Sequence, residues 1–302
     1  MTQGLAAALR GAALAVACAF VVLLSAAVAV AEPGLWVARS PQATIYLFGT
    51  IHVLKKDQIW KSPAIAQALA QSAEIWLELP DLDNTGESQA VVARLGTDPA
   101  HPLSTKLSRA ELAHLDATAA SLGLRGGERA LEPMRPWLAA IALEEAVLVA
   151  AGYDPASGVE RALLQEAKAA RKPVHGFETL EQQMRYLAGM SPMLELQFLD
   201  STLREADQGP TTLAALIAAW LAGDDAAISR IMVDEIRLPF PELYRTLLVE
   251  RNERWAQSVA GMLKAPGIRF IAVGAAHLAG PDSVQAALER RGIRVTRLTS
   301  PR

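Results

Sequence analysis

Two tetrapeptides far apart in the chain, Gly49-Thr50-Ile51-His52 and Gly274-Ala275-Ala276-His277, share the spacing G-x-x-H, and each follows a short apolar run. Glycine accepts positive φ and lets backbone turn sharply or approach another group closely, so this spacing aims a histidine over the end of a strand. Two glutamates occupy comparable places: Glu78 at the end of Ile75-Trp76-Leu77, and Glu178 just after Val174-His175-Gly176-Phe177. Two neutral imidazoles and a carboxylate form a ligand set for a divalent ion such as Mn, Co or Zn, with a position left for water. A second carboxylate beside such a set acts as general base or orients a ligand. The expected arrangement is His52, His277 and Glu78 around the metal, with Glu178 handling protons. The alternative from the same residues is a binding protein for haem or a small peptide, using the histidine pair and cleft without chemistry.

These four side chains meet only if their strands run parallel and end on one edge, the edge where open α/β sheets bind ligands. The pattern supports that fold class: a central mixed, partly parallel β-sheet flanked by helices, with a large α-helical insertion. Leu35-Trp36-Val37 and Thr44 to Phe48 read as a strand pair across Ser40-Pro41-Gln42. A helix begins at Pro63 and carries Ile65 and Leu69 on one face, and the strand Ile75 to Leu79 follows. This crossover makes the Thr44 and Ile75 strands parallel neighbours. Residues 81–100, rich in Asp, Gly, Thr and Pro, read as a loop, and helical periodicity then runs from about 100 to 171. After the Val174 strand, Thr179 and Gln182 stand at capping-box spacing, opening a second helical region over about 179–263. The chain finishes with a strand at Arg269 to Val273, a helix at Ser283 to Arg291 stopped by Gly292, and a strand at Ile293 to Leu298.

Arg251 and Asn252 are further polar candidates: they either tie a helix to the sheet, or recognise a substrate carboxylate or developing oxyanion charge. His101 and His114 read as surface residues and His175 as a strand side chain, while Trp60, Trp137, Trp220 and Trp255 read as core or rim packing. With 302 residues, 51% hydrophobic and 20% charged, the chain can bury a sizeable core. A net charge of -3 without clustered Lys and Arg argues against nucleic acid as a partner and leaves a peptide or small-molecule substrate. Arg10, the apolar run 11–28 and Ala29-Val30-Ala31 have the form of a signal peptide over 1–31. Cleavage would export residues 32–302 to the periplasm or beyond with no membrane span; an uncleaved segment would anchor them. Cys18, the one cysteine, lies within that segment, so the mature chain would lack a thiolate.

The same residues resemble the TraB/GumN/Tiki superfamily. Its marks are an N-terminal G-x-x-H, a glutamate at the next strand end and a second G-x-x-H near the C-terminus, matched by Gly49 to His52, Glu78, and Gly274 to His277. Gly158-Val159-Glu160, followed by Lys172-Pro173-Val174-His175-Gly176-Phe177-Glu178-Thr179, is similar to its central block, and Arg251-Asn252 to its R-N pair. Phe177 and Glu160 stand where the family often has Leu and Asp. The resemblance spans about residues 35–298 and implies a sheet core with a helical insertion. In the Tiki branch it implies metal-dependent protease activity. Other members and relatives are associated with pheromone shutdown, polysaccharide-gene clusters, esterase-like chemistry or haem binding, so the resemblance constrains the site more than the substrate.

Overall fold

The computed structural model describes residues 31–80, 85–124 and 126–299. The expected signal segment, apart from Ala31, lies outside them. Six strands form one sheet: β1 (Leu35–Arg39), β2 (Ala43–Thr50), β3 (Glu74–Leu77), β4 (Val174–Gly176), β5 (Gly267–Gly274) and β6 (Val295–Leu298). Their order is β4-β3-β5-β2-β1-β6. β4, β3, β5 and β2 are parallel to one another, while β1 pairs antiparallel with both β2 and β6. The mixed, partly parallel α/β sheet is therefore present, with one correction. β2 and β3 run parallel but are not neighbours, because β5 lies between them. The physical reason is burial: Phe270, Ile271, Ala272 and Val273 are all within 2% exposure, and so apolar a strand is best covered on both faces and both edges at the sheet centre.

Alternation along the strands divides the core between the two faces. Tyr46, Phe48, Ile75, Leu77, Phe270 and Ala272 face three helices: α1 (Pro63–Gln71), and two further along the chain, Val159–Ala169 and Thr211–Ala222. Ile45, Leu47, Ile271 and Val273 face helices Glu250–Met262 and Val284–Glu289. Residues 85–96 correct the loop expected over 81–100: Thr85–Gly96 is a helix, α2, whose Val91 is buried. Tertiary packing overrides the Asp- and Gly-rich composition of that stretch.

Helices α3 (Arg109–Ser121) and α4 (Pro136–Ala150) follow, and α5 (Val159–Ala169) packs Val159, Leu163 and Ala167 on the sheet before leading into β4. Thr179 and Gln182 make the expected capping box at the start of α6 (Leu180–Ala188). Next come α7 (Pro192–Gln208), which joins α3 and α4 in a separate apolar cluster, and α8 (Thr211–Ala222), closed by Gly223 in the left-handed conformation. Short turns, two of them π-helical at Ser229–Asp234 and Arg245–Val249, lead to α9 (Glu250–Met262); α10 (Val284–Glu289) precedes β6. Among the described residues no helix is long and apolar enough to cross a membrane.

Phe270, fully buried and 5.8 Å from Phe48 between ring centres, shares its core cluster with Ile51 and Ala275 of the two G-x-x-H turns. Phe270→Ala is expected to cost about 3–5 kcal/mol in urea unfolding, whereas Ile59→Ala, at a side chain 80% exposed, is expected to stay within about 0.5 kcal/mol.

Candidate functional site

β2 and β5 are adjacent and in register, Gly49 opposite Val273 and Thr50 opposite Gly274, so the two G-x-x-H turns leave the sheet side by side. β3 pairs with β5 on its other side and β4 with β3, which brings Glu78 and Glu178 to the same edge. All four sequence-predicted strand-end residues therefore share one location.

The glycines of the turns serve close approach and not positive φ. Gly274 has φ -49°, and a Cβ built on it would lie 3.2 Å from Glu78 Oε1, 3.7 Å from His277 Cδ2 and 3.9 Å from His52 Nε2. The three expected ligand residues surround that one small cradle. Glu78 is fixed in it: Gly274 N–H donates to Oε1 at 2.7 Å, and Gln183 donates to Oε2 at 3.1 Å.

Arg251, projecting from α9, holds the acidic groups together. Its Nη2 donates to Glu78 Oε2 at 2.7 Å and to Glu178 Oε2 at 2.8 Å, and its Nε donates to Glu178 Oε1 at 3.0 Å. Its Nη1 reaches the Leu247 carbonyl at 3.0 Å and His277 Nε2 at 3.1 Å. The guanidinium lies over the Trp255 ring, 4.7 Å from its centre. Burial opposes this charge, but Glu78 and Glu178 outweigh it and keep Arg251 a cation. Glu178 is completed by Gln183 at 3.1 Å and the Tyr186 hydroxyl at 3.3 Å.

The two histidines are held differently. Asn252 donates its amide to the Asp282 carbonyl at 2.7 Å, which turns its own oxygen toward His277 Nδ1 at 2.6 Å. His277 therefore carries its proton on Nδ1, and Nε2 is the acceptor for Arg251. Burial drives its pKa down to about 3 against the pull of Glu78, with the repulsion of Arg251 adding to it, leaving a neutral ring tilted 45° to that of Trp255 at 4.4 Å between centres. His52 Nδ1 instead meets Glu160 Oε1 at 2.8 Å, and Thr50 Oγ1 donates to the same carboxylate oxygen. Glu160 raises the His52 pKa to about 9 and makes it a cation at neutral pH; water screens part of that attraction, because 71% of the side chain is exposed. For Glu78, burial works against ionisation, but the neighbouring His277, Arg251 and His52 together with the Gly274 N–H bring its pKa down to about 2. Since His277 is uncharged above about pH 3, Arg251 is the standing buried counter-charge at neutral pH.

Glu160 is the residue that sequence reasoning did not place. The signal was available in Gly158-Val159-Glu160: a Cβ on Gly158 would lie 2.1 Å from the His52 carbonyl oxygen, and Val159 N–H donates to the Ile51 carbonyl at 3.1 Å. Only a glycine lets the start of α5 press so closely on the first turn. His101 and His114 pair with Asp98 and Asp207 away from these residues, and His175 pairs with Glu74 at 3.2 Å.

The residue types are those that hold a divalent ion: Glu78 Oε1, His52 Nε2 and the Cδ2 edge of His277 border the Gly274 cradle, and both Nδ1 atoms are already tied. The described residues contain no group of three His, Cys, Asp or Glu already closed to metal-ligand geometry, and Arg251 engages the His277 lone pair. An ion would have to take that bond from Arg251, which retains its carboxylate partners.

The three shifts define a pH profile. His277 and Glu78 both have lowered folded pKa values, so the stability they contribute is lost on acidification, from 6.5 through about 3 for His277 and from 4.5 through about 2 for Glu78. His52, with a raised value, contributes stability that is complete below 6.5 and lost as pH rises through about 9. Urea midpoints measured against pH are expected to peak near 6.5. His277→Asn should flatten the acid limb and His52→Asn the alkaline limb, and a limb unchanged in its variant would contradict that residue's charge state. Arg251→Met, which leaves Glu78 and Glu178 buried without their cation, is expected to cost about 3–5 kcal/mol at neutral pH in the same assay.

Similarity to known proteins covers nearly the whole described chain. A protein of Treponema pallidum (strain Nichols), described as an uncharacterized protein, is 23% identical over 272 residues, spanning 85% of this chain and 80% of its own. No solved structure matches. The family model for TraB/PrgY/gumN matches residues 34–297, a span that includes both G-x-x-H turns, both glutamates, Glu160 and the Arg251-Asn252 pair. The chain belongs to the TraB/PrgY/gumN family.

Proposed function

We propose that this protein is an exported metal-dependent hydrolase that acts on a peptide or ester bond. The observation that carries the reading is the convergence of His52, Glu78 and His277 on the Gly274 cradle, with each imidazole tied through Nδ1, so that an ion would meet Nε2 of each ring after displacing the His52 proton and the Arg251 bond to His277. Those two nitrogens and Glu78 Oε1 would hold the ion, with Mn, Co or Zn the candidates that suit mixed imidazole and carboxylate donors. When bound, the ion supplies Lewis acidity, polarising a substrate carbonyl and making a water molecule more acidic.

The rest of the chemistry belongs to the side chains. Asn252 and Glu160 keep the imidazoles in place. Arg251 is a fixed cation beside the reacting position and suits negative charge that develops on a carbonyl oxygen. Both oxygens of Glu178 accept bonds from Arg251, which favours the orienting role for it over proton transfer. The buried Trp255 ring closes the site from below and excludes water on that side. Export rests on the signal-like residues 1–31, and recovery of chains beginning at Glu32 from the periplasmic fraction is its check.

The purified protein, titrated calorimetrically with Mn, Co and Zn salts and assayed on peptide and aryl-ester panels, tests the activity. One ion per chain and chelator-sensitive cleavage are expected. His52→Ala and His277→Ala should each weaken ion binding by at least about 10-fold with unchanged circular dichroism. Full affinity in both variants, or cleavage indifferent to chelator, would overturn the proposal. A haem absorption band on adding haemin, without turnover of either panel, would favour the binding protein instead.

A further inference from the structure

We infer that Glu160 is the positioning residue of His52, fixing which ring nitrogen of that exposed histidine faces the Gly274 cradle. The inference rests on the metal-dependent reading and assigns a task to a side chain outside the expected ligand set. His52 and His277 come from equivalent turns but differ in burial, since 71% of the His52 side chain is exposed against 6% for His277. His277 is held inside by the Trp255 ring and by its hydrogen bonds with Asn252 and Arg251. His52 has no ring stacked on it among the described aromatic pairs, so its orientation depends on what its Nδ1 touches.

That partner is built to stay still. Glu160 stands in the first turn of α5, is 9% exposed, and accepts from Thr50 Oγ1, the residue two positions before His52 in the same turn. The start of α5 is in turn pinned to the His52 backbone by the close approach of Gly158 and by the Val159 N–H bond to Ile51. The carboxylate is therefore referenced to the same backbone that carries the imidazole. A carboxylate on Nδ1 keeps a proton there and reserves Nε2 for the cradle, where it lies 3.9 Å from the Gly274 Cβ position. Without it, a neutral histidine in water prefers its proton on Nε2, the nitrogen the site needs bare.

The test compares Glu160→Ala and Glu160→Gln in the otherwise complete protein. The readouts are calorimetric affinity for Mn, Co and Zn near neutral pH and, separately in the ion-free protein, the nitrogen chemical shifts of His52 followed upward in pH until the ring has lost its extra proton. Glu160→Ala is expected to move the His52 proton to Nε2 and weaken ion binding about 10- to 100-fold, the usual range for losing the partner that orients a ligand. Glu160→Gln, whose carbonyl still accepts from Nδ1, should keep the parent tautomer and recover most of the affinity, a rescue that a merely helix-stabilising role would not produce. An alanine variant with parental tautomer and parental affinity would overturn the inference. Should that variant fail to fold, Glu160→Asp draws the carboxylate back by one methylene and is expected to shift the tautomer partially; a parental spectrum there also overturns it. If the parent takes up no ion yet the tautomer moves in Glu160→Ala, the metal-dependent reading fails and the positioning role of Glu160 stands.

Discussion

One guanidinium is shared by two buried carboxylates from separate strands, and the candidate site is organised around that sharing. Glu78 and Glu178 sit at the ends of β3 and β4 with side chains 15% and 4% exposed, an arrangement that would be strongly unfavourable without a cation between them. Arg251 supplies that charge from α9 and spends its remaining hydrogens on the Leu247 carbonyl and His277. Its planar fork serves both carboxylates at once, which a lysine ammonium could not do with the same geometry. The ion pair thereby ties a helix on one face of the sheet to the carboxyl ends of two strands.

The second constraint is the register of β2 against β5. With Thr50 opposite Gly274, two turns separated by more than 200 residues lie within van der Waals reach, and a Cβ on Gly49 would approach the Ala275 backbone at 3.2 Å. The side chains around these turns form two chains of support with different chemistry. On one side Asn252, held by the Asp282 carbonyl, presents a neutral acceptor to a buried histidine. On the other, Thr50 and Glu160 present a charged acceptor to an exposed one. Two imidazoles at the same G-x-x-H spacing are thus placed in opposite charge states by their neighbours, one lowered by burial and one raised by a carboxylate. An ion entering between them would meet a neutral donor on the inside and displace a proton on the outside, so uptake would release a proton and be favoured by alkaline pH.

The π-helical turn at Arg245–Val249 runs directly into α9, and the Leu247 carbonyl within it accepts from Arg251. The other π-helical turn, Ser229–Asp234, packs under the second G-x-x-H segment, where Ser229 and Val233 border Gly280. Wider helical turns of this kind occur where a helix must present a residue off its regular spacing. Here both lie next to the residues that form the site.

Much was legible in the sequence because it depends on local pattern. Apolar runs ending in Gly49 and Gly274, the capping box at Thr179 and the paired G-x-x-H spacings each state their local structure, and strand-end placement of Glu78 and Glu178 follows from where the runs stop. Composition misled where packing outweighed it, as in α2, whose Asp- and Gly-rich surroundings concealed a helix. Pairing was not legible: chain order made β2 and β3 neighbours, whereas the burial of β5 on every side inserted it between them. Nor was the partner of each side chain. That Arg251 bridges Glu78 and Glu178, and that Glu160 from 110 residues away shares an oxygen with His52 and Thr50, depends on distances between segments that no local spacing encodes. The sequence determined which residues stand at strand ends, since hydrophobic period and glycine placement act over a few positions; tertiary structure decided which of them touch, and so which are charged, since electrostatic coupling acts through space.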